Sequence, residues 1–193
     1  MTNPTLPKHT KIDLVTVYNE TINTTMIPMS IKGTLDVESY IETMKIDLTD
    51  SSDVKLKYYR KLLEIENNTD EELFDAYVES KIAIDLSKLD EEVTEKRIKS
   101  LKVKRFDKLI EGKTRESIIN ESADMLLDAE IRKQILNQTV SRTLWNVLRV
   151  PEDLRSHTFK DVDELNDSID SDTLIKIFTD IEGTKVSDED LKN

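Results

Sequence analysis

The chain has 193 residues, 37% of them apolar and 35% charged, with a formal net charge of −12, no cysteine, three glycines and two histidines. That length supports one domain of ordinary size whose core needs no metal or disulfide staple, and zero cysteine excludes a disulfide framework, a thiolate metal site and a cysteine nucleophile. The acidic balance argues against direct nucleic-acid binding by the whole surface and against docking on an anionic membrane.

Residues 1–8, which include Pro4 and Pro7, read as an extended arm, and residues 1–11 lack the basic-then-apolar pattern of a leader, so a cytoplasmic location is expected. Residues 11–18 then alternate. Ile12 and Leu14 fall on one face with Thr16 and Tyr18, and Val15 and Val17 fall on the other. After a turn over residues 19–23, residues 24–31 resume with Met26, Ile27, Met29 and Ile31, which predicts a β-hairpin. Pro28 places the second strand at an edge, because proline cannot donate to a ladder. Apolar side chains on both faces of the first strand make the hairpin a candidate pairing edge, with Ile12, Leu14, Val15 and Val17 as its contact residues. Self-association stays open.

Gly33 punctuates, and the rest reads as helical. Thr34 or Asp36 can cap a helix carrying Val37, Tyr40, Ile41 and Met44. Residues 50–52 supply caps for the next, whose stripe is Val54, Tyr58, Tyr59, Leu62 and Leu63, and residues 67–68 end it. Thr69 with Glu72 forms a capping-box pattern ahead of Leu73, Phe74, Tyr77, Val78 and Ile82. Ser87 and Asp90 precede another start, and Gly112 is a natural helix stop. Residues 113–149 contain neither glycine nor proline and keep helical spacing from Ile118 to Leu148, Leu127 and Leu136 included, with a break expected near residues 120–122 or at Asn137. Val150-Pro151 ends that helix, and Pro151 suits the first turn of a short one reaching Leu154. Asp161 with Glu164, and then Asp170 or Ser171, open the last two helices, the second stopped by Gly183.

The fold class expected is therefore mostly α, with seven to nine helices and a small N-terminal β-hairpin. Residues 1–33 form the arm and hairpin, 34–183 an acidic helical domain and 184–193 a frayed tail.

Charge is unevenly laid out. Residues 96–115 hold nine Lys/Arg against Asp107 and Glu111, flanked by acidic stretches at 64–95 and 150–193. Lys102, Lys104, Arg105 and Lys108 could grip phosphates or an acidic partner. The plainer reading is neutralisation of the chain's own acidic helices, since Phe106 is the one aromatic there for base stacking. Trp145, flanked by Arg142 and Arg149, widens an apolar stripe and is read as core. A contact anchor is the alternative, because Trp and Arg dominate binding hot spots.

Catalytic and metal patterns are missing. Neither His9 nor His157 follows a Glu by three residues, as a dinuclear carboxylate site would require. Residues 161–172 place Leu165 and Asn166 where a calcium loop needs an acid and a glycine. No glycine turn exposes a serine near His157, and the three glycines cannot build a phosphate loop. No enzyme activity, metal or cofactor is expected.

The order of parts resembles the tail-assembly chaperones and tail or baseplate accessory proteins of tailed bacteriophages: a β element, here 11–31, then an acidic helical body from Thr34. The stretch Leu144-Trp145, Arg149-Val150-Pro151-Glu152-Asp153-Leu154, His157-Thr158-Phe159 and Asp161-Val162-Asp163-Glu164-Leu165 is similar in character. That resemblance implies a non-enzymatic structural or assembly protein binding a tail-tube, tape-measure or baseplate component, in the host cytoplasm or the virion. It assigns no functional residue. An acidic inhibitor that presents carboxylates to a nucleic-acid-binding enzyme is the alternative.

Overall fold

The computed structural model describes residues 9–66, 69–88 and 93–186, with side chains described to residue 180. The fold is mostly α. Among the described residues it has seven helices, a small N-terminal antiparallel hairpin and a four-stranded sheet that includes it. The elements are β1 (Thr10–Val15), β2 (Thr21–Met26), α1 (Ile31–Asp50), α2 (Ser52–Glu66), α3 (Asp70–Lys88), α4 (Glu95–Ile110), α5 (Arg115–Val147), β3 (Leu148–Val150), β4 (Asp153–His157), α6 (Val162–Ser168) and α7 (Ser171–Val186). No helix among the described residues is long and apolar enough to cross a membrane. The arm over residues 1–8, the end signal at residues 67–68, Asp90 and the tail from residue 187 lie outside the described residues.

Two compact units form, one from Met1–Asp47 with Arg132–Asn193 and the other from Leu48–Ile131. In the first, β1 and β2 pair antiparallel from Thr10↔Met26 to Val15↔Thr21. The turn lies at residues 16–20, not 19–23. Thr16 N donates to Glu20 O (2.8 Å) and Asn19 N to Thr16 O (2.9 Å), with Asn19 at φ 60. That is a three-residue loop closed by a left-handed residue, a conformation asparagine tolerates.

The sheet order β1-β2-β3-β4 makes β2 an inner strand, so the expectation that its proline marks an edge is corrected. Pro28 lies beyond the strand's end at Met26. β3 joins β2 through Thr25↔Arg149 and Met26↔Leu148, and Ile27 N caps the arrangement on Val147 O (2.9 Å).

Pro151 also acts differently from expectation. It sits in the turn of the β3–β4 hairpin, where Val150 opposes Asp153, rather than in a short helix. A β-branched pre-proline residue is at home in extended backbone, and the pairing of Leu148 with Met26 draws the chain out of α5.

The core of this unit joins Leu14, Val140, Leu144, Val147, Leu148, Phe159, Leu165, Ile169 and Leu174, with Ile12, Ile22, Met26 and Trp145 packed against it. The hairpin thus belongs to the core: Leu14 is 1% exposed. Gly33 does not stop anything. It lies in the first turn of α1, which Ser30 caps rather than Thr34 or Asp36, its Oγ accepting from Gly33 N (3.0 Å). A Cβ at Gly33 would meet Asn146 Oδ1 and Met29 Sδ at 3.1 Å, which is why the smallest residue stands there.

In the second unit, α3 contributes Leu73, Tyr77, Val78, Ile82 and Leu86, and α5 contributes Ile118 and Ile119. Leu63 of α2 and Ile98, Leu101, Phe106 and Leu109 of α4 pack on them. Thr69 and Glu72 make the reciprocal capping box, Thr94 rather than Ser87 caps α4, and Gly112 (φ 69) terminates it. Ser87 lies inside α3. Thr114 and Ser117 cap α5, which then runs 33 residues without the expected break. Gly183 likewise lies inside α7.

Two predicted stripes are less buried than their spacing implies. Val54 and Tyr58 on α2 are exposed, as is Leu136 on α5 at 47%.

Candidate functional site

The residues singled out by sequence fall into three places. The first is the basic block, in the second unit. Lys102 Nζ bridges Asp75 Oδ1 (3.0 Å) and Glu79 Oε1 (2.8 Å) of α3. Arg105 reaches Asp85 at 3.4 Å, Arg115 reaches Asp70 at 2.7 Å, and Lys113 bonds Glu121. The Glu79 carboxylate raises the Lys102 pKa, holding the ammonium charged. Acidic α3 and basic α4 therefore neutralise one another, while Lys104 and Lys108 point to solvent.

Tyr77 joins this polar network, and Tyr59 belongs to a separate cluster on Glu130. Tyr77, 2% exposed, donates to Glu121 Oε2 (2.6 Å), and burial, followed by that bond, raises its pKa. Tyr59 donates to Glu130, which also receives Lys55 at 2.6 Å. That bond to Glu130, ahead of burial, pushes the phenol up to about 12. Burial works against the Glu121 carboxylate. The bonds from Lys113 and Tyr77 outweigh it, so its pKa lies below the ordinary value. These shifts follow from burial and from the ion pairs and hydrogen bonds between these side chains.

The second place is the end of α5. Trp145 is half-buried, stacked on His157 at 3.9 Å and 8°, and its Nε1 donates to Phe159 O (3.0 Å). Arg149 Nη1 donates to the carbonyls of Leu148 (2.9 Å) and Trp145 (3.1 Å), and burial works against its charge. Arg142 lies over the Tyr40 ring, 3.2 Å from its centroid, with Asp36 at 3.9 Å. All three are engaged by their own chain.

The third place is the outer edge of β1. The Thr16–Glu20 bond fixes the parity of the hairpin. Residues opposite one another alternate between bonded and non-bonded pairs, so Thr10, Ile12 and Leu14 direct their backbone groups at β2. The N–H and C=O groups of Lys11, Asp13 and Val15 point off the sheet, with no partner among the described residues.

A groove of about 510 Å³ runs along this edge. One wall is Ile12, Asp13, Leu14, Val15 and Val17, and the other is the face of α7 bearing Asp170, Thr173, Lys176, Ile177 and Asp180. Val17 N donates to Ser168 O (2.8 Å), which seals one end. Side chains alternate as the sequence implies: Leu14 is buried and Ile12 half-buried beneath the sheet, while Val15 and Val17 are about half exposed above it, at 54% and 50%.

The structure gathers Ile12, Leu14, Val15 and Val17 at one site. The residues of the basic block belong to the other unit. The wall supplied by α7 had no sequence signal beyond its own amphipathic spacing.

A second opening of about 210 Å³, lined by Asn137, Gln138, Ser141, Asn166 and Ser171 among others, holds no titratable side chain. Among the described residues no group of three or more His, Asp or Glu is placed to hold a metal. No family model, curated protein or solved structure matches this chain.

Proposed function

We propose that this chain is a non-enzymatic structural or assembly protein that works by binding another protein chain along the free edge of β1. The observation that carries the reading is the row of outward backbone groups at Lys11, Asp13 and Val15, open to a groove that an extended segment can enter. Strand addition supplies affinity through main-chain hydrogen bonds and specificity through alternate side chains. Lys11 and Asp13 discourage indiscriminate pairing at such an edge, so the partner must match them.

The setting we propose is assembly of a bacteriophage tail in the host cytoplasm. Its support is the order of parts, an N-terminal β element followed by acidic helices. The charge-mimic reading draws less support, because Asp75, Glu79 and Asp85 are paired with Lys102 and Arg105 of their own chain.

Asp13→Pro tests the edge. It removes an N–H that no described residue uses and blocks strand addition. The proposal expects wild type to capture a protein chain, this one or another, from its native source, and expects the variant to lose it while helical circular dichroism is unchanged. Equal capture by both baits overturns the reading.

A further inference from the structure

The charge order along β1 singles out one occupant for its edge. Resting on the reading of β1 as the binding edge, we infer that the groove receives β1 of a second copy, antiparallel, across a two-fold axis at Ile12. Edge pairing fixes which registers are possible, because only outward residues, Lys11, Asp13 and Val15, can exchange hydrogen bonds. A two-fold at Asp13 sets Asp13 against itself, and one at Lys11 sets Lys11 against itself. A two-fold at Leu14 leaves Asp13 opposite Val15.

Centring on Ile12 alone places Lys11 opposite Asp13 of the second copy, and Asp13 opposite its Lys11, with both pairs at hydrogen-bonding positions. Ile12 then meets Ile12 at the non-bonded position, where side chains lie closest. Those two half-buried isoleucines extend the apolar layer already formed by Ile12, Leu14 and Ile177. The interface is isologous and closed: one self-complementary patch satisfies both copies and doubles the four-stranded sheet without leaving a β1 edge for a third.

Energetic roles divide accordingly. Exposed ion pairs contribute little attraction, whereas like charges directly opposite are destabilising. The hydrogen bonds and the Ile12 contact therefore hold the copies together, and Lys11 and Asp13 select the register.

A charge swap tests this on the full chain. Sedimentation or light scattering of the wild type should give twice the 22.3 kDa chain mass at high concentration. Asp13→Lys alone sets Lys opposite Lys, and Lys11→Asp alone sets Asp opposite Asp. Each should raise the dissociation constant about tenfold or more. Mixed in equal amounts, the two variants restore both opposite-charge pairs, and the two-chain species should return at wild-type affinity. Both side chains are exposed, so folding is preserved, as indole emission from Trp145 will verify.

A wild type that stays at single-chain mass overturns the self-pairing. So do variants that dimerise as well as wild type, or a mixture that fails to recover. A monomeric wild type that still captures a different protein, sensitive to Asp13→Pro, overturns the second-copy inference while leaving the edge reading intact.

Discussion

Thr24 ties β2 to β3 and to the residue that follows β4 through one hydroxyl, and removing it measures how firmly the hairpin belongs to its unit. The side chain is 1% exposed on the inner strand β2. Its Oγ1 donates to Arg149 O of β3 (3.0 Å) and lies 2.6 Å from Thr158 Oγ1, just past β4. One proton serves Arg149 O, so the Thr158 hydroxyl is the donor in the second bond. Thr24→Val keeps the volume, the branching and the strand preference, so its cost isolates the two bonds. A net bond contributes about 1 kcal/mol, and a buried group left unsatisfied costs about 1–3 kcal/mol. Thr158 is half-buried and can turn to water. The expected loss is therefore about 2 kcal/mol for Thr24→Val and about 1 kcal/mol for Thr158→Val, with the double variant less costly than their sum. Urea unfolding followed by the single tryptophan, Trp145, reads this unit directly. Additive losses, or a Thr24→Val midpoint equal to wild type, would refute the tie between the strands.

Leu14→Asp should unfold the first unit, because it buries an unpaired charge at a cost of about 3–5 kcal/mol. Leu136→Asp, on the same helical stripe as the buried Leu144 but 47% exposed, should leave the urea midpoint within about 0.5 kcal/mol of wild type. Trp145→Phe keeps a ring against His157 but loses the bond to Phe159 O, for about 1 kcal/mol by thermal melting. Glu121 adds a pH dependence. Its folded pKa lies below the unfolded one, so its stabilisation is complete above the unfolded value of about 4.3. It is lost as pH falls through the lower folded value. Melting scans from pH 7 to acid should therefore show Glu121→Gln losing less stability than wild type.

Local signals carried much of the fold. Caps at Thr69, Asp161 and Asp170 and the stop at Gly112 can be read because each depends on residues within one turn. Misreadings arose where a distant contact decides. Leu144, Val147 and Leu148 keep helical spacing, but Leu148 pairs with Met26, more than a hundred residues away, and becomes strand. Gly33 reads as punctuation, although its reason is the approach of Asn146. Val54 and Tyr58 look like a buried stripe, yet α2 reaches its core through Leu63.

The free edge of β1 was half legible. Alternation gave β1 and its two faces. Its position at the sheet's rim depends on β3 occupying the far side of β2, which residues 10–26 do not encode by themselves.

Amide hydrogen exchange along β1 tests the central claim most directly. In dilute solution, with the chain alone, the amides of Lys11, Asp13 and Val15 should exchange at rates near those of an unstructured chain. Those of Ile12 and Leu14, bonded to β2, should be protected. On association Lys11 and Asp13, which face each other across the two copies, should slow by about tenfold or more, giving an unbroken protected run from Lys11 to Leu14. Uniform protection in the dilute chain, or an alternation that persists in the assembled state, would contradict an open edge that works by strand addition.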